Sequence, residues 1–368
     1  MTTGRYLLFA LFAFISFCVL SAVQYRMRKR SGIALRILSA VIKFLAATAT
    51  AYSIISTDSW MAWNAGLFFA ALYAALLGDA ASDILCLICL EKTKRIDSRA
   101  SQMIIGAVCT LALLLYGTVN MQVVSPNYFT VGSEKLSQSY KAVFLADLHV
   151  GSSQSMATTE KTIRKAAAES PDIVILGGDI TDEFTTKEEM ERTFELLGEL
   201  EVPMYYIYGN HDRQPNHEKT IGRTYSDEEL RSALDANGII VLEDEWVAFS
   251  DDLILMGRDD VSTGVDRIDI TAIPPRPADS FVLLLDHSPY SVADTEASDA
   301  DLQLSGHTHA GQLFPLQFMY NLTGYDAYGF YRHGKTDVYV SAGASGWNFP
   351  FRTEAHCQFD VITLQGKS

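Results

Sequence analysis

The chain carries two patterns of apolar and polar positions. Over the first third the apolar positions run on without a break: no charge falls within 6–23, and comparable runs follow at about 37–56, 60–78 and 103–123. A helix of about 18 to 20 apolar residues reaches across a hydrocarbon layer of about 30 Å, so this pattern predicts four membrane helices. The third run continues into "GDAASDILCLICLEK", which either lengthens that helix or lies along the interface. Lys43, inside the second run, is expected to snorkel toward the headgroups.

Past residue 124 the pattern changes to short apolar runs alternating with amphipathic stretches. "AVFLAD", "DIVILGGD", "MYYIYGN", "GIIVLED", "LILMGRD", "FVLLLDH", "LQLSGHTH", "VYVSAG" and "QFDVITL" read as strands. "MATTEKTIRKAAAES", "KEEMERTFELLGEL" and "SDEELRSALDAN" read as helices, with apolar residues at helical spacing. Strands that are apolar on both faces belong to sheets covered on both sides, which predicts a layered α/β domain of about 240 residues. The division is a membrane domain over 1–124, a polar linker over 125–139, and the α/β domain over 140–368.

Charge separates the same two parts. The first 124 residues hold 11 basic and 5 acidic residues, and the remainder 18 and 39, a net of −21. A domain that negative repels polyanions, so nucleic acid is not an expected partner. The first apolar run is followed by "YRMRKR" and preceded by Arg5 alone, the reverse of a cleaved signal peptide. Basic links mark the cytoplasmic side. With four spans, the links holding Arg26–Arg36 and Lys92–Arg99 both face the cytoplasm only if the α/β domain is extracytoplasmic, on the outer side of a bacterial plasma membrane. Cys86 and Cys89 form a C-x-x-C within an apolar run and read as small helix residues.

Candidate chemistry sits where the apolar runs of the second part end: Asp147 and His149, Asp179, Asn210 with His211 and Asp212, His287, and His307 with His309. Side chains at the C-terminal ends of strands in an α/β sheet converge on one rim, where ligands bind. If "LSGHTH" continues as a strand, alternation points His307 and His309 the same way. Carboxylates, an amide oxygen and imidazoles suit Mn, Fe or Zn. Seven donors (Asp147, His149, Asp179, Asn210, His287, His307, His309) are too many for one ion. They suit two ions about 3.5 to 4 Å apart, with Asp179 as the natural bridge and one of the paired histidines to each ion.

The series D-x-H, GGD, GNHD, H and GHTH resembles the calcineurin-like metallophosphoesterases. "GHTHAGQ" and "YVSAGASGWNFPFR" are similar to the membrane-associated bacterial branch of YkuE/YaeI-type phosphodiesterases. The resemblance implies a four-layer α/β/β/α sandwich. It implies one ion on Asp147, His149 and His309, the other on Asn210, His287 and His307, and Asp179 shared. Two such ions generate a hydroxide that attacks phosphorus in line. His211 is left to protonate the leaving oxygen, with Asp212 as its orienting carboxylate, and Arg352 is a candidate donor to a phosphoryl oxygen or else a surface arginine. The expected activity is hydrolysis of a phosphodiester or pyrophosphate, of a lipid or envelope glycolipid. The competing readings are an extracytoplasmic protein phosphatase and a catalytically silent metal-binding sensor or scaffold.

Overall fold

A computed structural model of the chain describes residues 33–55, 62–90, 99–213, 224–261, 267–347 and 350–367. The first predicted span, 6–23, and most of both basic links lie outside the described residues. The chain divides into two compact units. The first contains the helices together with Leu313–Leu316 and Phe351–Glu354, and the second Met121–Gln312, Gln317–Pro350 and the C-terminal residues.

The first unit holds α1 (Ile33–Ile55), α2 (Ala62–Leu90) and α3 (Arg99–Gln122), and α1 packs along α2. The run that ended ambiguously is one continuous helix to Leu90. Among the described residues one helical stretch, Ile104–Gln122, is long and apolar enough to cross a membrane, and Ile37–Ala51 is shorter. Only 28% of the first stretch is buried, unlike a helix in a soluble core. Lys43 does not snorkel. Its ammonium is buried, 2.8 Å from Asp79 Oδ2 and paired also with Asp83, because two carboxylates four residues apart on α2 face it directly. Tyr73 OH bonds to Phe314 O at 2.7 Å, and the Phe314 ring meets Phe44 edge to face.

The second unit is built on two six-stranded sheets. The first sheet runs β1 (Ser125–Gly132), β12 (Gln358–Gln365), β2 (Tyr140–Leu145), β3 (Ile173–Leu176), β4 (Met204–Tyr206), β5 (Ile239–Val241). The second runs β10 (Gly329–His333), β11 (Thr336–Val340), β9 (Leu302–Ser305), β8 (Phe281–Leu285), β7 (Leu253–Gly257), β6 (Glu245–Ala248). Strands β2 to β5 are parallel, as are β7, β8, β9 and β11. All nine predicted strands are present. Residues 125–132, read as linker, instead form β1, paired along its length with β12. Pro126 and Asn127 hid it, since proline is tolerated in a strand only at an edge.

Alternation along each strand fills two cores. Phe144, Ile175 and Ile207 face Leu255, Leu283 and Leu304 between the sheets. On the far side of the first sheet, Val143, Leu145, Val174 and Leu176 pack against three helices. These are α4 (Met156–Ala168), α5 (Lys187–Gly198) and α7 (Asp227–Ala236), with the short turn α6 (Asn210–Arg213) between the last two. They contribute Ile163, Phe194, Leu197, Leu230 and Leu234. Helices α5 and α7 each begin at a reciprocal capping box, Thr186 with Glu189 and Ser226 with Glu229, which satisfies amide donors a helix start leaves open. The outer face of the second sheet has thin cover: Ile254, Met256, Val282 and Leu284 pack under Ile270 and Ile273. Helices, sheet, sheet and thin cover thus follow in order.

Candidate metal centre

The predicted donors all lie just past strand ends. Asp147 stands two residues beyond β2, Asp179 three beyond β3, Asn210 four beyond β4, His287 two beyond β8, and His307 two beyond β9. The two sheets run their parallel strands to a common rim, so loops distant in sequence meet there. Two donor triads result, Asp147 with His149 and His309, and Asp179 with His287 and His307. Within each, one ligand atom per residue lies within 4.8 Å of the others. Asn210 Oδ1 is 2.8 Å from His307 Nδ1, which adds it to the second group. Asp179 reaches both, its Oδ2 lying 3.0 Å from His287 Nε2 and 3.8 Å from His149 Nε2.

"LSGHTH" is not a strand to its end. β9 stops at Ser305, and His307 and His309 take φ of 69° and 48°. Left-handed turns, not alternation, therefore aim the two rings, and they go to different triads. Asp147, His149 and Asp179 also have φ near 50° (56°, 43° and 51°). Such a conformation costs about 1 kcal/mol or more per residue outside glycine. It is held by a lattice of short bonds: Asp147 N to Gly178 O, His149 N to Asp179 O, and His307 N to Asp147 Oδ1, at 3.0, 3.1 and 3.0 Å. Two glycines make room for the carboxylates. A Cβ on Gly209 would sit 2.2 Å from Asp179 Oδ1, and one on Gly343, itself at φ 76°, would sit 2.7 Å from Asp147 Cβ.

The donor set fits divalent cations on its own evidence. Asp147, His149, Asp179 and His287 are buried, and neither ring nitrogen of His149, nor His287 Nε2, has a hydrogen-bond partner among the described residues. His287 Nδ1 donates to Gly177 O at 2.8 Å, which turns Nε2 into the cluster, toward Asp179 Oδ2. Protonation alone leaves the charges in conflict. Burial, and the charge of Asp179, push the Asp147 carboxyl up to about 6, while His287 and His211 overcome burial and hold Asp179 well below its usual range. Burial and the neighbouring His287 press His307 down to about 4. A dication beside each triad removes that conflict, because it favours ionised carboxylates and neutral imidazoles together.

His211 is half-buried beside the cluster, its ring 5.0 Å from that of His149. Its partner is not Asp212. Adjacent residues on a helical turn do not face each other, and Asp212 points beneath α6. There it accepts the amides of Asp179 (2.7 Å), Gly209 (2.9 Å) and Thr181 (2.9 Å). It ties the loops after β3 and β4 together and thereby sets the distance between Asp179 and Asn210. The carboxylate on His211 is Glu183, with Oε2 2.7 Å from Nδ1. Burial disfavours the imidazolium, but Glu183 and Asp179 outweigh it and raise His211 to about 10. Asp182 Oδ2 approaches His149 Nδ1 at 3.3 Å. The signal for both was the carboxylate pair in "GGDITDE", three and four residues after the motif aspartate. Arg352 is fully buried in the first unit, its amide bonded to Gly117 O and its carbonyl to Asn120, which excludes a surface arginine.

Residues 140–311 match the family model described as calcineurin-like phosphoesterase. The chain is 27% identical over 322 residues to an uncharacterised metallophosphoesterase of Campylobacter jejuni, covering 84% of this chain and 83% of that protein. It is 27% identical to the uncharacterised metallophosphoesterase YkuE of Bacillus subtilis, covering 61% and 79%. It is also 27% identical to a protein of Danio rerio named transmembrane protein with metallophosphoesterase domain, covering 72% of this chain and 63% of that one.

Proposed function

Residues 140–311 carry a calcineurin-like metallophosphoesterase domain, the mark of a metal-dependent phosphoric ester hydrolase, and from that premise we propose that the chain cleaves a phosphodiester or pyrophosphate of a lipid or envelope glycolipid. The observation that carries this reading is the pair of donor triads at one rim with an acid-paired imidazole beside them. In this reading Asp147, His149 and His309 hold one ion, Asn210, His287 and His307 the other, and Asp179 serves both. The ions are of the Mn, Fe or Zn kind. When bound, they lower the pKa of water toward about 7 and offset charge on the phosphoryl oxygens. His211 as the imidazolium holds a proton at Nε2 for the leaving oxygen, and Glu183, accepting from Nδ1, stabilises that charged ring and orients it. Asp147 and Asp179, backed by Gly343 and Gly209, keep their oxygens aimed without side-chain freedom to lose.

The purified chain, reloaded with Mn, Fe or Zn after chelation, is expected to release p-nitrophenol from bis(p-nitrophenyl) phosphate faster than from p-nitrophenyl phosphate, and to lose both activities on chelator treatment. A preference for the monoester transfers the reading to a phosphatase. Inactivity with every metal leaves only a sensor or scaffold.

The chain is further proposed to sit in a bacterial plasma membrane by several helices with the catalytic domain outside. The apolar stretch Ile104–Gln122 and the transmembrane naming of the Danio rerio relative support membrane attachment, and the basic residues of the links at Arg26–Arg36 and Lys92–Arg99 support the side. Protease added to intact spheroplasts is then expected to degrade the catalytic domain; protection until lysis would put that domain in the cytoplasm.

A further inference from the structure

From Leu302 to Tyr325 the chain contains no Asp, Glu, Lys or Arg, within a part of the molecule whose net charge is −21. This uncharged stretch contains the two paired histidines, His307 and His309, and ends in an exposed apolar surface. The helix α8 (Leu316–Leu322) leaves Phe318 65%, Met319 38% and Leu322 69% exposed, and Tyr325 follows at 53%. That surface is linked to the metal centre by ring contacts: Tyr325 meets Tyr290 at 5.6 Å, and Tyr290 meets His307 at 5.2 Å. It is also continuous along the chain with the first unit, since Leu313–Leu316 belong there, with Phe314 against Phe44 of α1 and bonded to Tyr73 of α2.

We propose that α8 and Tyr325 insert into the lipid surface, so that the phosphoester is presented to the metal centre by a lipid whose acyl chains remain in the bilayer. Three observations favour lipid over a protein partner or a second copy. The exposed side chains are aliphatic and aromatic without a charge among them, as a hydrocarbon boundary requires. The preceding Phe314 packs on Phe44, within the shorter apolar stretch Ile37–Ala51 of α1. The negative net charge opposes docking on anionic headgroups, so contact has to come from apolar insertion, independent of lipid charge and of salt. The same path orders the substrate, because a lipid held by its tails meets His307 with its phosphate at the interface. This inference rests on the phosphoesterase reading for its substrate, but not for its membrane contact.

The test therefore has two arms on the full chain in proteoliposomes. In the first, Phe318→Trp adds a fluorophore whose emission, taken as the difference from the unsubstituted chain, is expected to be quenched by brominated phosphatidylcholine, equally with and without anionic lipid. Phe330→Trp, on β10, serves as the control and stays unquenched. In the second, Phe318→Glu with Leu322→Glu is expected to slow hydrolysis of a long-chain p-nitrophenyl phosphodiester in the bilayer by about tenfold or more, as expelling two apolar side chains from lipid requires. Turnover of soluble bis(p-nitrophenyl) phosphate stays unchanged. Absence of Phe318→Trp quenching, or its protection only in a cross-linked dimer, overturns the proposal in favour of another occupant. Quenching without hydrolysis of either substrate by the unsubstituted chain keeps the membrane contact and rejects the phosphoesterase reading instead.

Discussion

Asp179→Asn is expected to lower phosphodiester turnover by about 10³-fold or more and to reduce the bound metal from two ions per chain to one or none. The magnitude follows from its position. Its carboxylate is within reach of both triads, 3.0 Å from His287 and 3.8 Å from His149, and an amide provides neither the negative charge nor a second equivalent oxygen. Clamping a phosphoryl group between two cations is worth several kcal/mol of transition-state charge stabilisation, and each 1.36 kcal/mol is tenfold in rate. The substitution leaves the fold largely in place. The amide of Asp179, which Asp212 binds at 2.7 Å, is retained, as is its carbonyl contact to His149. Metal content by mass spectrometry, read beside kcat, decides it. Two ions and normal turnover in Asp179→Asn would show that the cations do not share this residue.

The second large effect belongs to His211. His211→Ala is expected to reduce kcat by about 10² to 10⁴, the usual worth of a placed general acid, with both ions retained, since its ring lies outside both triads. The same variant is expected to lose less on a substrate whose leaving group is a good anion, because such a group departs without a proton. Glu183→Gln separates the proton from its support. Glu183 and Asp179 raise His211 to about 10 against the cost of burial, so the protonated form persists on the alkaline side. Bound cations oppose that rise, but removing one carboxylate has a fixed sign. The basic limb of the kcat profile moves to lower pH in Glu183→Gln, while the acid limb stays. An unmoved basic limb would mean that Glu183 does not set the proton on His211.

The nine apolar runs read as strands are strands because uninterrupted Val, Ile, Leu and Phe can be buried only where both faces are covered, and no other context satisfies them. β1 was missed for the converse reason. An edge strand tolerates Pro126, and from Tyr128 on it leaves every second residue exposed and the others half-buried, so its sequence looks like linker. Lys43 was misplaced because a run of residues does not disclose which neighbour will face it; the carboxylates of Asp79 and Asp83 come from another helix. The orienting role given to Asp212 failed similarly. Proximity in sequence suggested a partner for His211, whereas a helical turn separates neighbours and brings in Glu183 from 28 positions away.

The composition of the donor set, its order along the chain and its place after apolar strands were decided by the sequence alone, because side-chain chemistry and alternation are local properties. Which donors share a triad, which carboxylate faces His211, and how the paired histidines are aimed were decided only by tertiary structure. Those depend on two sheets delivering distant loops to one rim and on left-handed backbone turns at Asp147, His149, Asp179, His307 and His309. No local pattern specifies such turns, since they are unfavourable by themselves and persist only when the surrounding packing and hydrogen bonds hold them.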